Sequence, residues 1–319
     1  MASQEITSKN LFSVSAAPVW HCGRTVRSTM LHSLLALLPA AIMAVYRYGY
    51  DAIAVIAWAG LAAVVTEFLM EKWMERESTA DDFTALFDGV VFAFLLPSTA
   101  PIWLVVIGSS LTIVLGRMVF GGFGGSPICA PAVGWAIMTV SWPEFMDLNA
   151  MLLNWDLVEP LSDLKYFGVE AITDISYTSL LFGQNLGALG ASQVLLIAVG
   201  GIYLLATRQL RWFIPISFLA GVYLTGLIYN IIDPTLYASP LFHLLSGGTM
   251  LAAFFLMPYP SSSPTWKLPM LLFGFLGGAL LIIIRTYGIY PDGTCFAVLL
   301  INLCTPLIDL IQPKPFGGR

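Results

Sequence analysis

RMVFGGFGGSP (117–127) and RTYGIYPDG (285–293) are the stretches that decide the fold. Each closes an apolar run on an arginine, breaks the backbone at glycine and proline, and opens another apolar run. ICAPAVGWAIM follows the first and TCFAVLLINL the second. A further matched pair lies upstream: Asp88-GVVFAFLL-Pro97 and Thr249-MLAAFFLM-Pro258. Such repetition marks a duplicated membrane bundle with broken helices, whose site lies where the breaks meet.

Composition agrees. Hydrophobic residues make up 58% of the chain and charged residues 10%, with a mean hydropathy of +0.82. A soluble domain carries about 25% charged residues. On a span length of roughly 20 apolar residues, about ten spans are expected, at 30–48, 51–70, 84–99, 101–119, 127–142, 187–206, 211–231, 241–257, 268–284 and 293–311. No cleavable signal is expected, because residues 1–29 are polar and lack an apolar core before Leu31.

Ten spans put both termini on one side, with Lys9, Arg24, Arg27, Lys72, Arg76, Arg117, Arg208, Arg211, Lys267, Lys314 and Arg319. Only Arg47, Lys165 and Arg285 fall opposite. The positive-inside rule then makes the termini cytoplasmic. Five spans per half is odd, so the halves are expected to be inverted, with Arg117 facing the cytoplasm and Arg285 the outside. The organisation read from this is a cytoplasmic segment (1–29), a first repeat (30–142), an extracytoplasmic loop (143–182), a second repeat (183–311) and a cytoplasmic tail (312–319).

That loop carries Glu144, Asp147, Asp156, Glu159, Asp163, Glu170 and Asp174 against Lys165 alone. It reads either as a solvated acidic cap or as a prosthetic-group site or docking surface, since loops of this length are usually functional or linkers.

Cys22, Cys129, Cys295 and Cys304 form no C-x-x-C pair. An iron–sulfur site between Cys129 and Cys295 would fall short of the usual four thiolates; small buried apolar residues is the better reading. Phosphate-loop, nucleophile-elbow and zinc-protease signatures are missing, and no basic patch supports nucleic-acid binding.

At the breaks, Ser126-Pro127 and Asp292-Gly293 read as helix caps. The half-helices they open would present free N–H groups that favour an anion or an electron-rich ring; alternatively Asp292 only caps and the glycines only permit close packing. Asp88 stands five residues into an apolar span, where an ionisable group is expensive unless it faces a cavity or a partner. It reads either as part of an ion or proton path or as a hydrated interfacial residue. Arg117 and Arg285 stand at the ends of their apolar runs, where an arginine anchors a helix end at the interface.

RTYGIYPDGTCFAVLLINLCTPLID (285–309), PLFHLLSGGTMLAAFF (240–255), RWFIPISFLAG (211–221) and the phased Asp82-x-Thr84-Ala85, Gly89 and Pro97 resemble the D subunit of the Rnf complex. The B subunit of the sodium-translocating NADH:quinone oxidoreductase belongs to the same family. The resemblance runs from about residue 18 onward and is tightest after residue 200. It implies membrane electron transfer through flavins, coupled to sodium or proton movement, in an inner-membrane complex with other membrane and peripheral subunits. It also implies FMN esterified through phosphate to a threonine before span six, and a non-covalent riboflavin.

The chain departs from the family's Ser-Gly-Ala-Thr motif with Ser176-Tyr177-Thr178-Ser179, so the resemblance places covalent FMN on Thr178 or, alternatively, Ser179. Ser126-Pro-Ile-Cys-Ala-Pro-Ala stands for Asn-Pro-Phe-Asn-Pro-Ala, Tyr259-Pro260 for Asp-Pro, and Asp88 for a small polar residue. The expectation is an all-α polytopic protein of about ten helices. Flavin would lie near Arg117, Gly121, Gly122, Gly124, Ser126, Ser246, Gly247, Thr249, Arg285 and Asp292, and Asp88 on the ion path. A flavin-free channel or transporter, or a structural subunit without cofactor, is the alternative.

Overall fold

A computed structural model describes residues 25–76, 80–146, 159–173 and 175–311. Among them the chain is all helix, without a strand. The helices are α1 (Val26–Tyr48), α2 (Tyr50–Trp73), α3 (Thr84–Leu95), α4 (Ile102–Gly116), α5 (Ala130–Ser141), α6 (Pro143–Met146), α7 (Pro160–Phe167), α8 (Tyr177–Leu181), α9 (Val194–Ala206), α10 (Phe213–Ile232), α11 (Pro240–Leu245), α12 (Thr249–Leu251), α13 (Lys267–Tyr287) and α14 (Thr294–Ile308). α12 runs into a π turn, Ala252–Leu256.

Among the described residues, five segments are long and apolar enough to cross a membrane: α1, α2, Ile102–Phe120, α10 and α13. With its exposed leucines, isoleucines and aromatics, the chain is a multi-pass membrane protein. α3, α5, α9 and α14 are apolar but shorter. At 1.5 Å per residue, a helix of 12 residues such as α3 or α5 covers only about 18 Å of a core about 30 Å thick. Their ends must find partners inside the protein, because irregular backbone is tolerated at membrane depth only where protein or water covers it.

Each of the ten expected stretches contains helix, but the interruptions are deeper than expected. α3 stops at Leu95 rather than 99 because Leu96 is extended before Pro97. The freed carbonyls of Phe94 and Leu96 accept from Gly190 N–H (2.7 Å) and Leu189 N–H (3.0 Å). This strap occupies 187–193, so α9 begins at Val194. The stretch 241–257 is split at Ser246–Gly248, where Gly247 takes a positive φ of 64°.

Small residues set the tightest packing. A Cβ on Gly278 of α13 would lie 2.7 Å from Val222 N of α10, and nearer still to Phe218 O. Gly274 and Gly278, one turn apart, thus let two backbones touch.

The described part of 143–182 packs on the bundle through its apolar residues, while its acids Glu144 and Glu170 are exposed. Leu161, Ile172 and Leu180 bury against Ala238 and Phe242 at α11. Its acidic residues Asp147, Asp156 and Asp174 lie outside the described residues, as do Cys22 and the segments 1–24 and 312–319.

Candidate functional site

Two arginines, each closing one of the apolar runs, organise the interior. Arg117 is 1% exposed. Its Nη2 donates to Glu67 Oε1 (2.6 Å) and Thr84 Oγ1 (2.8 Å), and its Nη1 to Asp88 Oδ2 (3.2 Å). Tyr259, from the other half, donates its phenol to the same Asp88 oxygen at 3.1 Å. Asp88 Oδ1 is buried with no partner. The side chain of Phe123 lies 5.3 Å beneath the guanidinium carbon, so the glycine-rich break folds over the cluster. Asp88 is therefore not a hydrated interfacial residue, and Arg117 does not reach out to anchor a helix end.

Arg285 is equally enclosed. Its Nη1 donates to His243 O (2.9 Å), and its Nη2 to Ser246 O (3.1 Å), Thr249 Oγ1 (2.9 Å) and Asp292 Oδ1 (3.0 Å). The guanidinium thus meets carbonyls left open at the end of α11, the place where a cation is favoured. Asp292 Oδ2 accepts from Gly248 N–H at 2.7 Å, and Oδ1 also accepts from Thr294 Oγ1. Burial alone would raise the Asp292 pKa; Arg285 and these donors outweigh it and hold the carboxyl below its usual range. The two clusters correspond: Asp88 and Thr249, which head the matched upstream stretches, each accept from the arginine of their own half.

Neither break is capped as expected. α5 starts at Ala130 behind Cys129, with no side-chain cap. Ser126 instead donates to Gly116 O (2.6 Å) and Ile128 O (2.7 Å), satisfying carbonyls rather than N–H groups. Asp292 does not cap α14, whose N-cap is Gly293; it reaches across to Gly248.

A narrow cleft of about 790 Å³, counting its mouth, lies between the second break and the described part of 143–182. Ser246, Gly247, Gly248, Asp292 and Thr294 form one wall, Glu159, Pro160, Leu161 and Leu180 another. The stretch from Gly183 to Ser192, which includes most of the strap, also lines it, as do Phe94, Leu95 and Trp135. The Ser246 hydroxyl is buried and has no partner among the described residues. Its free interior is only about 80 Å³, less than the about 300–1,000 Å³ usual for a small-molecule site, so a ring would have to part its walls to enter.

α8 stands beside this cleft. Ser176 caps it, accepting from Ser179 N–H at 3.1 Å. The Ser179 hydroxyl is spent on Ser176 O (2.7 Å), whereas the exposed Thr178 hydroxyl meets only the Ser176 hydroxyl (3.0 Å). Tyr177 ties α8 to α11 through Ser239 Oγ (2.8 Å).

The structure thus gathers Ser246, Gly247 and Asp292 at the cleft, with Thr249 and Arg285 bracing them from behind. Arg117, Gly121, Gly122, Gly124 and Ser126 do not line it. The three glycines have φ of 102°, 104° and 94° and form a turn at the surface, where Arg76 Nη1 holds Gly121 O at 2.8 Å. Sequence reasoning did not assign Glu67, Thr84 or Thr294 to the site, and met Tyr259 only as a departure from the family pattern. Glu67 carried a readable signal, a carboxylate inside an apolar span like Asp88; the others needed the fold. Cys129 and Cys295 are separate free thiols, and Cys304 is exposed on the far face of α14.

The model of the NQR2, RnfD, RnfE family matches residues 13–317. The D subunit of the ion-translocating oxidoreductase complex of Alcanivorax borkumensis is 33% identical over 316 aligned positions, covering 91% of this chain and 92% of the relative. The D subunit of the proton-translocating ferredoxin:NAD(+) oxidoreductase complex of Clostridium ljungdahlii is 32% identical over 331 positions, covering 100% of both. The D subunit of the ion-translocating oxidoreductase complex of Pectobacterium atrosepticum is 31% identical, covering 96% and 99%. With the match running nearly end to end over the residues that build both arginine clusters and the cleft, the chain belongs to the NQR2, RnfD, RnfE family.

Proposed function

We propose that this chain is the D-type membrane subunit of an Rnf-like complex, passing electrons through flavin while the complex moves sodium ions or protons across a bacterial or archaeal cytoplasmic membrane. The relatives are subunits of ion-translocating oxidoreductases, so other membrane and peripheral subunits would supply the donor site and most redox centres. The observation that carries the flavin reading is the cleft beside α8, with an unpartnered Ser246 hydroxyl in its wall.

Flavin supplies one- and two-electron redox chemistry when bound. Thr178 would hold it by a phosphoester, its hydroxyl being less engaged than that of Ser179. Ser246 would offer a hydrogen bond to the ring, Gly247 and Gly248 a surface without side chains, and Phe94, Leu95 and Leu251 a dry wall. The Arg285–Asp292 lattice would hold that wall in place. A non-covalent riboflavin belongs to the same proposal by family likeness.

We infer further that 30–142 and 183–311 are inverted five-helix halves with both termini cytoplasmic. The corresponding Arg117–Asp88 and Arg285–Thr249 contacts and the skewed placement of lysine and arginine support this. Asp88 then lies on the ion path, in a buried cluster bridging the two halves through Tyr259.

The test is denaturing electrophoresis of the purified chain, read by flavin fluorescence. A fluorescent band that Thr178→Val abolishes and Ser179→Ala leaves supports the assignment. Flavin freed on denaturation reduces it to non-covalent binding. Protein free of flavin in both fractions sinks it, in favour of a transporter or a structural subunit.

A further inference from the structure

Leu161 separates the flavin cleft from a second cavity, about 890 Å³ counting its mouth. The described part of 143–182 lends it Lys165, the turn before α11 lends Leu236 and Tyr237, and the bundle lends His243, Arg285 and Tyr287. Among the described residues, no aspartate or glutamate lines it.

Its charge is one-sided. Arg285 is matched by Asp292. Lys165 forms no ion pair with a carboxylate among the described residues. Its ammonium rests on backbone oxygens at the end of α13: Arg285 O and Tyr290 O, both at 3.3 Å, and Gly288 O. Carbonyl dipoles spread that charge without cancelling it. His243 is 6% exposed and its Nδ1 has no partner. The cavity therefore holds a net cation, and His243 in its wall carries a buried ring nitrogen without a partner among the described residues.

The surroundings fix its depth. Tyr229 lies 5.0 Å from Tyr237 and 6.1 Å from Tyr287, ring centre to ring centre. Tyrosines gather where hydrocarbon gives way to headgroups. Ile228, Ile231 and Ile232 of α10 are exposed on the same end of that helix.

We propose that this cavity seats the phosphate headgroup of an anionic phospholipid between Lys165 and His243, its chains running along the exposed isoleucines of α10. Lys165 contributes charge rather than hydrogen bonds, since its three hydrogens already meet carbonyls. His243, in its Nδ1-protonated tautomer, donates to a phosphate oxygen. The lipid would pin the external segment, and with it α8, onto the bundle.

The test reconstitutes the full chain in phosphatidylcholine vesicles with and without phosphatidylglycerol, reading thermal stability and, after delipidation, retained lipid by mass spectrometry. Phosphatidylglycerol raises Tm and is retained. Lys165→Met and His243→Phe each weaken retention about tenfold, worth about 1.4 kcal/mol. Arg211→Met, the same charge change at the other end of α10, leaves retention unaltered. Should His243→Phe fail to fold, Lys165→Met and the lipid comparison on the unaltered chain decide. Inorganic phosphate reproducing the Tm shift in pure phosphatidylcholine overturns the lipid assignment in favour of a soluble anion. Equal Tm in both vesicles, or retention unchanged in Lys165→Met, overturns the site.

Discussion

Replacing Arg117 by leucine takes the guanidinium away from two buried carboxylates at once. Glu67 and Asp88 are each 1% exposed and bound to the guanidinium at 2.6 and 3.2 Å. Removing one partner of a buried ion pair costs about 3–5 kcal/mol, because the survivor keeps its desolvation penalty. Asp88→Asn is milder: it keeps the shape, leaves Arg117 on Glu67, and weakens charged hydrogen bonds worth about 1.5–3 kcal/mol. At about 2–4 °C per kcal/mol, Arg117→Leu lowers Tm by about 6–20 °C. The double variant Arg117→Leu/Asp88→Leu is more stable than Arg117→Leu alone, since one buried carboxylate that has lost its guanidinium is gone. Thermal unfolding in detergent, followed by size-exclusion of the survivors, measures all three. If Arg117→Leu melts within about 2 °C of the unaltered chain, or the double variant falls below the single one, the cluster is not the electrostatic unit drawn here.

Gly247→Ala should lose more than about 1 kcal/mol, because φ is 64° and the new Cβ would press on Arg285 Nη2 at 2.7 Å and Asp292 Oδ2 at 2.8 Å; a melting curve decides. Asp292 has a folded pKa below its unfolded one, so its stabilisation is present above about pH 4 and fades as acid titrates through the folded value. The Tm gap between the unaltered chain and Asp292→Asn should therefore narrow below about pH 4 and stay constant above it. Ser246→Ala should leave Tm within about 0.5 kcal/mol equivalent while flavin retention falls, since its hydroxyl has no partner among the described residues. Gly278→Leu should cost about 1–3 kcal/mol by forcing α13 from α10, read as lower Tm and yield.

Apolar runs and the two arginine–glycine–proline breaks made the membrane bundle readable, because a span must be apolar over its length and a break must be written in glycine or proline. Asp88 was visible because an ionisable group violates the rule of an apolar span, and Asp292 because it stands at a break; Ser246 and Gly247 came only from the family resemblance. The caps were misread because Ser126 and Asp292 look local but bond elsewhere, one to carbonyls and the other to a distant N–H. Tyr259, Gly248 and Thr294 obey local rules and matter only through contacts far off in sequence. The strap at Leu189–Gly190 was equally hidden, since its partners are bare backbone atoms of Phe94 and Leu96.

That strap constrains biogenesis. The end of α3 emerges from the ribosome about ninety residues before the amides that complete it, given by Leu189 and Gly190 against Phe94 and Leu96. Until then two carbonyls await donors at membrane depth, an arrangement lipid does not tolerate. The amino-terminal portion must therefore wait, shielded by water or an insertase, for the carboxy-terminal portion to arrive. A polypeptide cut between the two would be held back as unfinished, and separately expressed pieces would mature only together.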